Sequence, residues 1–394
     1  MVIISNEPKD YGWKIVAALF VILAFSSGLS FYSHTVFIDA FVTERGFDLA
    51  IASGAVSLFF LVSGISGLYI ATLLERYDVR IIMGAGAVLA STSLALLGKV
   101  DSIVGLYALY VMFGMGYSAA GLLPATTLIA RWFTTNRAKA MSISSTGLSI
   151  GGVLLTPAVA ALIEQYGLTV AAPWMGALCF LGMFPICILV LRSHPAPQTD
   201  QDKVAPEHDT YRDPYFWSLC LSYLFVMLAQ VGGITHQYGL VSEHLSGKEA
   251  ALAIGVLPLC SIVGRLLGGV IVDRVSTYRF TLFMMVLQVF ALLLMAYADS
   301  VINLIVGLAV FGITVGNLLM LQPLLIAEAY PISLYSHIYS RANFLSNLGL
   351  ASGPALMGFM HTINNSYHYP YLIAAMSAFV ACFIFNLIKS KIVS

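Results

Sequence analysis

The chain has 394 residues, 59% of them hydrophobic and 10% charged, with a mean hydropathy of +0.89. That balance excludes a water-soluble surface and places the chain in a bilayer. Nineteen basic residues against nineteen acidic ones leave no net charge, which excludes the basic patch of a nucleic-acid binder.

A window of about 20 residues, the length that crosses about 30 Å of hydrocarbon, predicts spans wherever the chain stays apolar. Twelve such spans follow one another along the chain. Span one (13–38) carries Ser26, Ser30 and His34 every four residues, a spacing that puts them on one helix face. Span two (49–73) leads into Glu75-Arg76, and span three (81–98) follows the turn. Span four (103–129) holds Tyr110 and Tyr117 seven residues apart, again on one face. Spans five (140–163) and six (172–191) complete the first half.

A charged, Pro-rich stretch, RSHPAPQTDQDKVAPEHDTYRDP, then reads as a flexible cytoplasmic linker over 193–214. It divides the chain into an N-terminal six-helix bundle (1–192) and a C-terminal one (215–394). Span seven (215–239) spaces Tyr223, Gln230 and Gln237 by sevens, and span eight (250–272) contains Arg265. Span nine (279–297) is apolar, span ten (302–326) carries Asn317, span eleven (338–361) aligns Ser340, Asn343 and Asn347, and span twelve (370–388) closes the series.

Arg265 is the most informative residue, because no acidic side chain shares its apolar run GVLPLCSIVGRLLGGVIV. An arginine at a helix centre costs roughly 2.5 to 3.5 kcal/mol on insertion scales and stays charged, so it needs a partner. A bound anion would supply one. Backbone carbonyls or a distant carboxylate are the alternative. The other polar positions have a bland alternative too, as bridges between helices.

Orientation follows from the loops. Fifteen of the nineteen Lys and Arg fall on the side of the termini, Arg45, Lys99 and Lys248 fall on the other, and Arg265 lies within a span. The positive-inside rule therefore predicts both termini in the cytoplasm, for a chain in a plasma or bacterial inner membrane.

A repeat recurs at about 200 residues. Glu75-Arg76 after span two answers Asp273-Arg274 after span eight, and LIARWF (128–133) answers LIAEAY (325–330). Asn136-Arg137-Ala138 before span five answers Ser340-Arg341-Ala342 near span eleven. Two parallel repeats joined by a linker predict a transporter whose halves rock about a central site.

These turns, with Gly269-x-x-x-Asp273-Arg274 and the six-plus-six layout, resemble the major facilitator superfamily over nearly the whole chain. Asp10-Tyr11-Gly12-Trp13, Arg131-Trp132-Phe133 and the run from Asn136 to Met141 resemble the monocarboxylate transporters within it. Arg265 falls where they and the oxalate/formate exchangers carry a substrate-binding arginine. The chain departs from animal members in having Ser261 one turn before the arginine, and His34 or Thr35 in the outer first helix. It departs from the oxalate exchangers in having Asn343 and Asn347 where helix eleven would carry a second cation.

The resemblance implies an all-α membrane fold of twelve transmembrane helices and secondary transport of a small monocarboxylate such as lactate or pyruvate, with a proton. Arg265, Tyr117, Asn317, Asn347, Ser30 and Gln230 are the expected substrate contacts. His34 is the expected proton carrier, since imidazole changes charge nearest neutral pH, or else a neutral side chain bonded to a neighbouring helix. Glu75, Arg76, Asp273 and Arg274 are expected to hold a cytoplasmic gate. Anion exchange is the alternative, followed by drug efflux.

No nucleophile with its base, cofactor loop or metal cluster is legible, so neither enzyme activity nor a cofactor is expected. The five cysteines (Cys179, Cys187, Cys220, Cys260 and Cys382) lie in apolar runs and imply no disulfide. A monomer in a lipid bilayer, with a carboxylate and protons as its partners, is the expected working unit.

Overall fold

The computed structural model describes residues 11–193, 212–245, 247–364 and 366–387, and the regular structure there is helical. Most of the expected linker (194–211) lies outside the described residues, as do Asp10 of the first resemblance motif and Lys9, Lys203, Lys389 and Lys391. Helix α1 runs Tyr11–Thr43, with a π-helical turn at Ser27–Phe31. It is followed by α2 (Leu49–Arg76), α3 (Val79–Leu96) and α4 (Ile103–Trp132), the last broken at Gly121. Helices α5 (137–166) and α6 (168–189) are the two limbs of Arg137–Leu189. The second half comprises α7 (Pro214–Ser242), α8 (Gly247–Val272), α9 (Thr277–Ala296), α10 (Val301–Ala329), α11 (Tyr335–Asn364) and α12 (His368–Leu387).

Local chemistry fixes the ends of these helices. Ser102 caps α4 by accepting from the Gly105 N–H at 3.1 Å, and Ser300 caps α10 by accepting from Asn303 at 3.2 Å. The caps occupy corresponding places in the two halves, as the repeat requires. Between α5 and α6 the sequence reading leaves a gap over 164–171, yet helix resumes after one residue. That residue is Gly167, at φ +72°, a conformation that side chains disfavour.

Glycines set the packing within each half. A Cβ on Gly147 would lie 2.1 Å from the Phe20 carbonyl oxygen, and one on Gly151 would lie 2.0 Å from that of Ala24. Helices α5 and α1 therefore touch backbone to backbone. The second half repeats the device: Cβ atoms on Gly349 and Gly353 of α11 would lie 2.1 and 2.4 Å from the Leu224 and Leu228 oxygens of α7. The repeat is thus present in the packing as well as in the turns.

The halves meet along α2 with α11 and α5 with α8. A Cβ on Gly64 would lie 2.9 Å from the Asn347 Cβ, and one on Gly269 would lie 2.4 Å from the Ser142 Cβ. Among the described residues ten helical segments are long and apolar enough to cross a membrane, Arg137–Leu189 counting once for two crossings. Helix α11 falls short in hydropathy because Ser336, Ser340, Ser346 and Asn347 face the interior and are buried. With α11 included, twelve helices cross, in agreement with the sequence.

Candidate functional site

A cavity of about 90 Å³ lies between the halves, near the midpoints of α1, α7 and α11. Its polar wall includes Tyr117, Gln230, Gln322, Asn343, Ser346 and Asn347, and Leu122, Leu148, Met227, Val231, Leu319 and Leu350 supply apolar surface. Such a lining suits a small amphipathic ligand. None of the described lining residues is Asp, Glu, His, Lys or Arg.

Second contacts fix the amides. Gln230 donates through Nε2 to Oε1 of Gln288 at 3.0 Å, and Gln288 is fully buried behind it. Gln322 donates to Ser346 Oγ at 3.0 Å, tying α10 to α11 at the cavity wall. Asn347 donates to the Asn343 carbonyl at 2.8 Å. Of the expected substrate contacts, Tyr117, Gln230 and Asn347 line the cavity, while Gln322 and Ser346 of its wall and Gln288 behind Gln230 were not singled out from the sequence. A search for amide pairs on facing helices, rather than for stripes on one helix, is the signal that would find them.

Arg265 does not line the cavity. It is 0% exposed and lies where α8 meets α5 and α10. Its Nε donates to the Gly316 carbonyl at 2.7 Å and its Nη1 donates to the Ser145 carbonyl. Nη2 has no hydrogen-bond partner among the described residues, and no carboxylate there pairs with the guanidinium. Two carbonyls satisfy part of the donor fork and leave the charge uncompensated.

Neighbouring groups hold this helix crossing tight. The Arg265 carbonyl accepts from Ser142 Oγ at 2.5 Å, and Ser261 Oγ meets Ser149 Oγ at 3.0 Å. Asn317 donates to the Gly264 and Ile313 carbonyls, both at 2.9 Å. It packs so closely on Gly268 that a Cβ there would lie 1.6 Å from the Asn317 Oδ1. Asn317 therefore braces α8 against α10 and does not reach the cavity.

The span-one stripe also lies elsewhere. Ser27, Phe31 and Tyr32 line the cavity in place of Ser26, Ser30 and His34, and the π-helical turn at Ser27–Phe31 shifts the phase of the residues that follow it. The Ser30 hydroxyl turns back to the Ser26 carbonyl. His34 is 3% exposed and sits among Phe37, Phe59, Phe60, Tyr110 and Phe113, with ring centroids 4.5 to 6.3 Å away. Neither ring nitrogen has a hydrogen-bond partner among the described residues, so this arrangement gives His34 no contact with the cavity.

Among the four expected gate residues, Glu75 pairs across the halves. His337 Nε2 lies 2.8 Å from its Oε1, joining the end of α2 to the start of α11. Arg76, Asp273 and Arg274 are exposed and make no ion pair with another described residue. Arg137 adds a second link by donating to the Ala327 carbonyl at 3.2 Å, at the end of the molecule where α1 begins. The turn before α3 contains Asp78, whose carboxyl accepts from the Arg80 N–H at 2.9 Å and from its guanidinium at 3.0 Å. Hydrogen bonding to Arg80 holds the Asp78 carboxyl below the usual aspartate range.

Comparison with known proteins places this architecture. The family profile described as Major Facilitator Superfamily matches residues 20–301 and 238–391. Monocarboxylate transporter 12 of Rattus norvegicus is 25% identical, over 95% of this chain and 85% of that protein. An MFS-type transporter of Gibberella moniliformis is 27% identical over 79% of this chain and 75% of its own length. The agnestins efflux protein AgnL12 of Paecilomyces divaricatus is 25% identical over 73% and 66%. The solved structure of the human organic anion transporter MFSD10 (TETRAN) superposes with a TM-score of 0.72 at 15% identity, covering 96% of this chain and 100% of that one. The chain belongs to the Major Facilitator Superfamily, as a multi-pass membrane transporter.

Proposed function

We propose that the protein is a secondary transporter of a small monocarboxylate, of the lactate or pyruvate type, working by alternating access with a proton. The observation that carries this reading is the uncompensated guanidinium of Arg265, buried beside the cavity with Nη2 unpartnered among the described residues. A monoanion would neutralise it, while Tyr117, Gln230 and Asn347 offer hydroxyl and amide groups to the rest of the ligand. The resemblance to monocarboxylate transporter 12 supports the same cargo.

In this reading both termini face the cytoplasm, 193–214 links the bundles 1–192 and 215–394, and one chain suffices for transport. The Glu75–His337 and Arg137–Ala327 links then close the cytoplasmic side. Reconstituted protein should show saturable lactate and pyruvate uptake that Arg265→Gln abolishes without lowering the melting temperature. Unchanged uptake in that variant rejects the reading.

Exchange of one organic anion for another is the second reading. It is favoured by the absence of Asp, Glu and His from the described cavity lining. Counterflow at equal pH on both sides, with no uptake driven by a proton gradient alone, would select it.

A further inference from the structure

We propose that Tyr32 is a displaceable screen between the cavity and Arg265, so that a ligand reaches the guanidinium only by moving this ring aside. This rests on the reading of Arg265 as the anion's partner. Tyr32 on α1, Leu148 on α5 and Val315 on α10 form part of the cavity wall. Leu148 lies between Ser145 and Ser149, and Val315 precedes Gly316, so each adjoins the residues that surround the guanidinium. Tyr32 is the polar member of the three. It lies within electrostatic reach of Arg265 and close to Ser149.

The ring has a seat made for it. A Cβ on Gly152 would lie 2.7 to 2.9 Å from Tyr32 ring atoms, so the ring occupies the space that a side chain on α5 would fill. Tyr32 also follows directly on the π-helical turn Ser27–Phe31, whose Ser27 carbonyl accepts from the Tyr32 N–H at 3.1 Å. Turns of this kind tend to mark functional sites in helices. Behind the ring, Ser149 meets Ser261, one helical turn before Arg265. The Ser149 and Ser261 hydroxyls thus lead from α5 to the arginine helix.

Such a screen gives selectivity as well as access. A charge buried in low dielectric attracts any anion that can enter, including chloride. Covering it with a ring that must be displaced favours a ligand whose body also binds the cavity. Removing the ring exposes the charge to ions that have no such body.

The test reads the guanidinium itself. Detergent-purified wild type, Tyr32→Ala, Tyr32→Phe and Gly152→Ala are treated with phenylglyoxal, and modification of the peptide containing Arg265 is followed by mass spectrometry. Wild type should label slowly, Tyr32→Ala and Gly152→Ala several-fold faster, and Tyr32→Phe close to wild type, because it keeps the ring. Chloride should inhibit pyruvate uptake in Tyr32→Ala more strongly than in wild type.

Gly152→Ala dislodges the ring without removing it, so the test survives if Tyr32→Ala does not fold. Equal labelling in wild type and Gly152→Ala overturns the screen, even where Arg265→Gln abolishes uptake and the transport reading stands. Faster labelling in Gly152→Ala combined with full transport by Arg265→Gln leaves the screen in place and removes the anion reading instead.

Discussion

Gly151 of α5 and Ala24 of α1 approach so closely that a Cβ on the glycine would lie 2.0 Å from the alanine carbonyl oxygen. That oxygen is backbone and cannot swing away. Gly151→Ala should therefore force the helices apart and cost about 1 to 3 kcal/mol, the usual range for overpacking. Gly353→Ala should do the same in the other half, where the corresponding distance is 2.4 Å. Melting curves in detergent would check both, and a variant as stable as wild type would contradict the contact.

Gln288 shows how a residue outside the cavity can act on it. Gln288→Leu removes the acceptor that fixes Gln230, leaving a cavity amide free to rotate. The expected result is a several-fold rise in KM for the transported acid with little change in maximal rate. An unchanged KM would mean that Gln230 does not meet the ligand.

The Glu75–His337 contact is partly exposed, 38% on the glutamate side, and even with a protonated imidazole an ion pair in that setting is worth about 1 kcal/mol or less. Glu75→Gln should weaken closure at the end where α1 begins without unfolding the protein. Spin labels on α2 and α11 at that end should report a larger population of long distances. No change would assign closure to other contacts, such as Arg137 with Ala327.

Asp78 offers a pH test outside the membrane. Its carboxyl is held below the usual aspartate range by Arg80, so its contribution is complete above that range and is lost as pH falls through the lowered value. Asp78→Ala also removes the cap of α3, a loss of about 1 kcal/mol. The variant should melt below wild type at neutral pH, and the gap should close in strong acid.

The spans and the repeat were legible in the sequence because both depend on long apolar runs and on charges in turns. Arg265 was legible as an outlier for the same reason. Helix rotation was not. Even spacing of Ser26, Ser30 and His34 implies one face only if the helix is regular, and the π-helical turn at Ser27–Phe31 breaks that assumption. Ser27, Phe31 and Tyr32 line the cavity instead. Asn317 stood at a plausible depth, yet its amide is taken up by the Gly264 and Ile313 carbonyls. The glycine pairs 147/151 and 349/353 were visible as spacing, but their partner helices follow only from the assembled bundle.

The one-residue reversal at Gly167 leaves α5 and α6 no slack. Glu44, just past the end of α1, fastens the same corner by accepting from the Leu168 N–H at 2.8 Å. In the proposed alternating-access cycle, sliding of α5 along α8 would carry α6 and the far tip of α1 with it. A displacement beside Arg265 would then reach the exposed face of α6, with Trp174 and Leu181, through a corner one residue long.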